Sequence, residues 1–145
     1  YGDFSLNNAS LNTADITLDD GDFIADTITV NSGTISLSYG DCDFKKASLS
    51  NTTVKSADGD ISMNNLYLSE KVKLALSYGD AMLTLNDSTK KTAGFDLIAH
   101  YGTINTSSLT GSHTEKDDEE TFKSEPKDGK TTLSINSEDG DITIK

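Results

Sequence analysis

A Gly-Asp pair recurs along this chain at an almost fixed interval, and that repetition constrains the fold more than any other feature. The pairs are Gly2-Asp3, Gly21-Asp22, Gly40-Asp41, Gly59-Asp60, Gly79-Asp80 and Gly140-Asp141, with Gly102-Thr103 as a variant. Successive intervals are 19, 19, 19, 20, 23 and 38 residues. The last is twice 19, which fits either a unit with a degenerate pair or a unit carrying an insertion.

Aligned on their glycines, the units share apolar columns. Two residues after Gly stand Phe4, Phe23, Cys42, Ile61, Ala81, Ile104 and Ile142, and four after it stand Leu6, Ala25, Phe44, Met63, Leu83 and Ile144. Apolar and polar residues alternate in runs such as Phe4-Ser5-Leu6, Ala9-Ser10-Leu11 and Ile16-Thr17-Leu18. Period two predicts short strands, the polar breaks predict corners, and no window carries a convincing helical period. One unit has about six inward side chains, too few for a core of its own, so the units are expected to stack. The expected fold is all-β, a single-domain β-solenoid of about six coils with a 19-residue repeat. Its hand is taken as right, as for parallel β connections generally, and a β-sandwich is the alternative.

Glycine at each corner supplies a positive φ or a close backbone approach, and the aspartate after it can accept backbone N–H groups. Stacked about 4.8 Å apart in water, neighbouring aspartates would repel by about 0.9 kcal/mol, which turn hydrogen bonds of about 1 kcal/mol can offset. The competing reading places calcium on Asp22, Asp41, Asp60 and Asp80, because Gly- and Asp-rich solenoid turns can hold that ion. One aspartate per unit supplies few of the oxygens calcium requires, so a structural turn is preferred and no cofactor is expected.

The residue before each glycine is Tyr1, Asp20, Tyr39, Asp58, Tyr78, Tyr101 or Asp139. Tyr39, Tyr78 and Tyr101 are candidate ligand contacts, since a ring with a polar tip suits carbohydrate or protein. The alternative is that each ring covers the corner of a neighbouring coil. Cys42 shares a column with Phe4, Phe23 and Ile61 and reads as a small buried hydrophobe, not a nucleophile. His100 and His113 show no metal-ligand spacing.

Asp and Glu number 24 against 12 basic residues, all lysine, for a net charge of −12. Such a surface repels nucleic acid and anionic lipid, and it suits a cationic partner. No apolar run approaches the roughly 20 residues of a membrane span, so no direct membrane insertion by these residues is expected. Residues 111–130 interrupt the repeat with Glu115-Lys116-Asp117-Asp118-Glu119-Glu120 and Pro126, and they read as an acidic solvated loop inserted at a corner. Tyr1-Gly2-Asp3 starts in mid-register, which predicts the C-terminal part of a longer protein. The first coil's open edge makes an edge-to-edge homodimer conceivable, whereas Lys145 is expected to blunt the opposite edge.

Gly-Asp-Φ-x-Φ strands at this interval, as in Gly21-Asp22-Phe23 and Gly59-Asp60-Ile61-Ser62-Met63, resemble the bacterial toast-rack domain, also known as a predicted adhesin domain. The resemblance covers nearly the whole chain apart from 111–130. It implies a β-solenoid of envelope-associated bacterial proteins, tied to adhesion or to sensing envelope stress such as cationic antimicrobial peptides, with no catalytic residues. The expected function is therefore a noncatalytic interaction module at the bacterial cell surface or envelope, extracellular, binding glycan, protein or cationic peptide. A structural spacer or stalk is the alternative. A polysaccharide-cleaving β-helix enzyme ranks below both, because the carboxylates recur with the turns instead of forming one tuned pair, and no arginine is present to neutralise a uronate.

Overall fold

Alternating apolar and polar residues with turn residues between them produce sixteen strands and one short helix in the computed structural model, which describes residues 1–145. The first circuits are β1 (Phe4–Leu6), β2 (Ala9–Leu11) and β3 (Ala14–Leu18), then β4 (Phe23–Val30) and β5 (Gly33–Tyr39). They continue through β6 (Cys42–Leu49), β7 (Thr52–Asp58), β8 (Ile61–Leu68), β9 (Lys71–Tyr78) and β10 (Ala81–Leu85). Helix α1 (Asp87–Thr92) precedes β11 (Gly94–His100), β12 (Ile104–Asn105), β13 (Ser112–Lys116) and β14 (Glu119–Ser124), and the chain closes with β15 (Thr132–Asp139) and β16 (Ile142–Ile144).

These strands form two open sheets. One runs β1-β4-β6-β8-β10-β16-β12 with β2 also on β4, and the other runs β13-β14-β11-β15-β9-β7-β5-β3. Pairing is parallel except at β11–β14 and β13–β14, unlike the antiparallel β-sandwich weighed as the alternative. The register sets like over like: Phe4 pairs Phe23, Phe23 pairs Cys42, and Cys42 pairs Ile61. The apolar columns form one core of 32 buried residues between the sheets. The Phe23 and Phe44 rings stand 5.4 Å apart within it. Cys42 is fully buried, and burial first, then the charges of Asp43 and Asp41, push its thiol far above the ordinary range. It is a core side chain, not a nucleophile.

The order of stacking differs from the order of the chain. Strands β15 and β16 lie between the rung of β9 and β10 and the rung of β11 and β12, so Ile142 pairs both Ala81 and Ile104. Lys145 therefore guards no outer edge: its N–H donates to Leu83 and its carbonyl accepts from Leu85. The outermost strands on the other side are β1, β2 and β3, with Phe4 39% exposed.

Two further expectations are corrected. Residues 111–130 are not a solvated loop; they contain the antiparallel hairpin β13–β14, which covers the edge of β11. An edge strand needs only one apolar anchor. Phe122, paired with Leu97, supplies it at 3% exposure, while the charged neighbours stay in water. Asp128 closes the return to β15: the Thr131 hydroxyl and the amides of Lys130 and Thr131 hold its carboxyl at about 2. The chain also contains a helix, which the absence of a helical period did not predict. At six residues α1 is too short for periodicity to register; it is fixed by its ends, with Asn86 accepting the Thr89 N–H as N-cap and Lys90 and Lys91 in its last turn. The Thr89 hydroxyl accepts the buried Leu68 N–H, tying the helix to β8. No helix of the structure is long and apolar enough to cross a membrane.

Candidate functional site

The corners align every Gly-Asp pair into two adjacent columns. In space the glycines follow the order Gly2, Gly21, Gly40, Gly59, Gly79, Gly140, Gly102, each close against the carbonyl of the one before. The aspartates form a ladder alongside. Asp3 Oδ1 accepts the Asp22 N–H at 3.1 Å, and Asp22, Asp41, Asp60 and Asp80 repeat the bond to the next rung at 2.8 to 2.9 Å. Thr103 ends the ladder. Its N–H and hydroxyl both donate to Asp141 Oδ1, so a donor stands where an aspartate would face the last carboxylate with no further rung to cap.

The four aspartates of the calcium reading, Asp22, Asp41, Asp60 and Asp80, thus each spend one oxygen on a backbone amide. No three His, Cys, Asp or Glu side chains form a group able to hold a metal ion. Asp60→Ala is expected to cost about 1–2 kcal/mol, because the Asp80 N–H loses its acceptor, while Asp60→Asn keeps the oxygen and stays close to the parent protein. Thermal unfolding of both variants, with and without chelator, checks this. Equal damage from both changes, or a fall in melting temperature with chelator, would restore the calcium reading.

One residue before the glycines, the structure reveals an order that the chain itself obscures. Tyr39 pairs Asp58, Asp58 pairs Tyr78, and Tyr78 pairs Asp139. Gly2 N–H donates to the Asp20 carbonyl and Gly21 N–H to that of Tyr39, which extends the column backward. At the other end Gly102 packs on Gly140, setting Tyr101 beyond Asp139. By rung the positions read Tyr1, Asp20, Tyr39, Asp58, Tyr78, Asp139, Tyr101, tyrosine alternating with aspartate; strand pairing joins Tyr39 to Asp139, and Tyr101 follows past the end of β11 with a left-handed backbone at φ 54. The three candidate tyrosines are brought into this one line and stay exposed: Tyr39 and Tyr78 by 62% each and Tyr101 by 71%.

The column runs into a recess that the sequence reasoning missed. Tyr101 N–H donates to the Asp118 carbonyl, and an open hollow of about 400 Å³ is lined by Tyr101, Thr103, Glu115, Asp117, Asp118 and Glu119, with Glu120 at its base. The hairpin forms one wall of it and is tied to the stack by polar links: Glu120 accepts the Ile104 N–H and also lies 3.4 Å from His113 within the hairpin, and His100 lies 3.4 Å from Glu119. The available signal for this hairpin was the Asp117-Asp118 pair between two short runs; in the structure Asp117 turns the chain with a left-handed φ of 52°.

Compared with known proteins, residues 1–145 match the Toastrack DUF4097 family model. No curated protein and no solved structure matches the chain.

Proposed function

The chain belongs to the Toastrack DUF4097 family, and from that premise we propose that it is a noncatalytic interaction module of the bacterial cell surface whose tyrosine–aspartate column binds cationic partners. In this reading the stack is a right-handed solenoid of about six coils that serves as a straight scaffold for the column. The observation that carries the reading is the alternation itself. Exposed rings supply apolar contact and cation–π attraction, and the carboxylates between them supply charge. The net charge of −12 adds long-range attraction for positive ligands. The carboxylates recur rung by rung instead of concentrating at one place, which favours binding over catalysis.

The test is titration of the chain with a lysine-rich peptide and with neutral and acidic glycans at two salt concentrations. The peptide is expected to bind and to weaken several-fold as salt rises, since screening beyond a Debye length of about 10 Å removes the long-range part. Tyr39→Ala and Tyr78→Ala, both at exposed positions, are expected to weaken it further without lowering the melting temperature. Absence of binding by every probe at both salts would favour a spacer, and release of oligosaccharide ends would overturn the noncatalytic reading.

A further inference from the structure

The spacing of the column selects among the shapes a cationic ligand can take. Neighbours in the column belong to successive hydrogen-bonded rungs, about 4.8 Å apart, so rings recur every two rungs, about 9.6 Å, with a carboxylate midway. An extended strand presents one face every two residues, about 6.8 Å, and so falls out of step with the rings at once. An α-helix turns every 5.4 Å or so, and two turns give about 10.8 Å. A polyproline II helix has three residues per turn at about 3.1 Å each, a period of about 9.3 Å. Over the two rungs from Tyr39 to Tyr78, whose pairing with Asp58 fixes their register, it drifts by about 0.3 Å, against about 1.2 Å for the α-helix.

Chemistry agrees with geometry. Polyproline II segments dock on rows of exposed aromatic rings, their free carbonyls accept from tyrosine hydroxyls, and their stiffness lowers the entropy lost on binding. The carboxylates of Asp58 and Asp139, placed midway between rings and exposed, call for a cation once per turn. We propose that the Tyr39–Asp58–Tyr78–Asp139–Tyr101 column is a docking surface for a proline-rich segment in polyproline II conformation that carries lysine or arginine at every third residue. This rests on the reading that the column binds cations, and adds the ligand's conformation and period.

The experiment compares three 12-residue peptides of equal charge by fluorescence anisotropy on the whole 145-residue chain and on its Tyr78→Ala variant. One is four Lys-Pro-Pro triplets, one is four Lys-Gly-Gly triplets, and one has the residues of the first with its four lysines clustered. The Lys-Pro-Pro peptide is expected to bind about tenfold more tightly than either other, and Tyr78→Ala is expected to erase most of that preference. Equal binding of all three would overturn this inference while leaving the cation-binding reading intact. Binding of none would overturn both. A preference that survives Tyr78→Ala would place the site elsewhere and overturn the assignment of the column.

Discussion

Gly59→Ala is expected to lower stability by about 3 kcal/mol or more, a drop in melting temperature on the order of 10 °C. Two effects combine there. Gly59 has a φ of +139°, a conformation a side chain adopts only under strain, and an added Cβ would lie 2.2 Å from the Gly40 carbonyl oxygen. That oxygen is backbone in the rung above and cannot swing aside, so the two rungs must part and loosen the Asp41-to-Asp60 bond beside them. Gly2→Ala separates the effects: its φ is +110°, yet nothing lies within 4 Å of the added carbon. Thermal unfolding of the pair should show Gly59→Ala as clearly the more damaging. Equal, small losses would mean that the rungs do not approach one another as closely as the glycine column requires.

The second large effect contrasts two residues of one column. Leu6 and Ile144 both occupy the position four after a corner glycine, near opposite ends of the 145-residue chain. Stacking in chain order would make both of them outer side chains with modest roles. In the structure Ile144 is fully buried beside Leu83, whereas Leu6 lies on the outermost rung and is only partly covered. Ile144→Ala should therefore cost about 2–5 kcal/mol, the range for a well-packed core position, because Leu83 and the surrounding core hold the cavity open. Leu6→Ala should cost about 1 kcal/mol, since Leu6 is only half-buried and its rung has a neighbour on one side only. Chemical denaturation of the two variants measures the difference, and similar midpoints would contradict the inserted position of β16.

The legible part of this fold is what repeats. Phe4, Phe23, Cys42 and Ile61 share a column in the sequence and pair in register in the structure, because a strand's two-residue period and a fixed turn leave no other way to bury them together. Which rung lies on which is not local information. The rungs holding Gly79, Gly140 and Gly102 each turn at a glycine and carry similar apolar residues two positions on, so burial alone does not order them. Two signs of the true order were nonetheless present. Thr103 replaces the ladder aspartate where no further rung needs an acceptor. The residues before glycine alternate between tyrosine and aspartate in the chain until Tyr78 is followed by Tyr101, a break that disappears when Asp139 is set between them. The hairpin escaped because its buried face is little more than Phe122, and charge dominates a strand whose other side faces water. Tyr39, Tyr78 and Tyr101 were readable as candidates one at a time, but the recess beside Tyr101 needs the hairpin and so could not be read from spacing.

The inserted rung carries the continuous column and with it the functional reading, so its position is the point to measure. Nuclear Overhauser spectra of the isotopically labelled chain should contain cross-peaks from Ile142 to both Ala81 and Ile104, and none between Ala81 and Ile104, which lie two rungs apart. A direct Ala81–Ile104 cross-peak, with Ile142 touching only one of them, would place β16 outside the stack and break the alternation of ring and carboxylate.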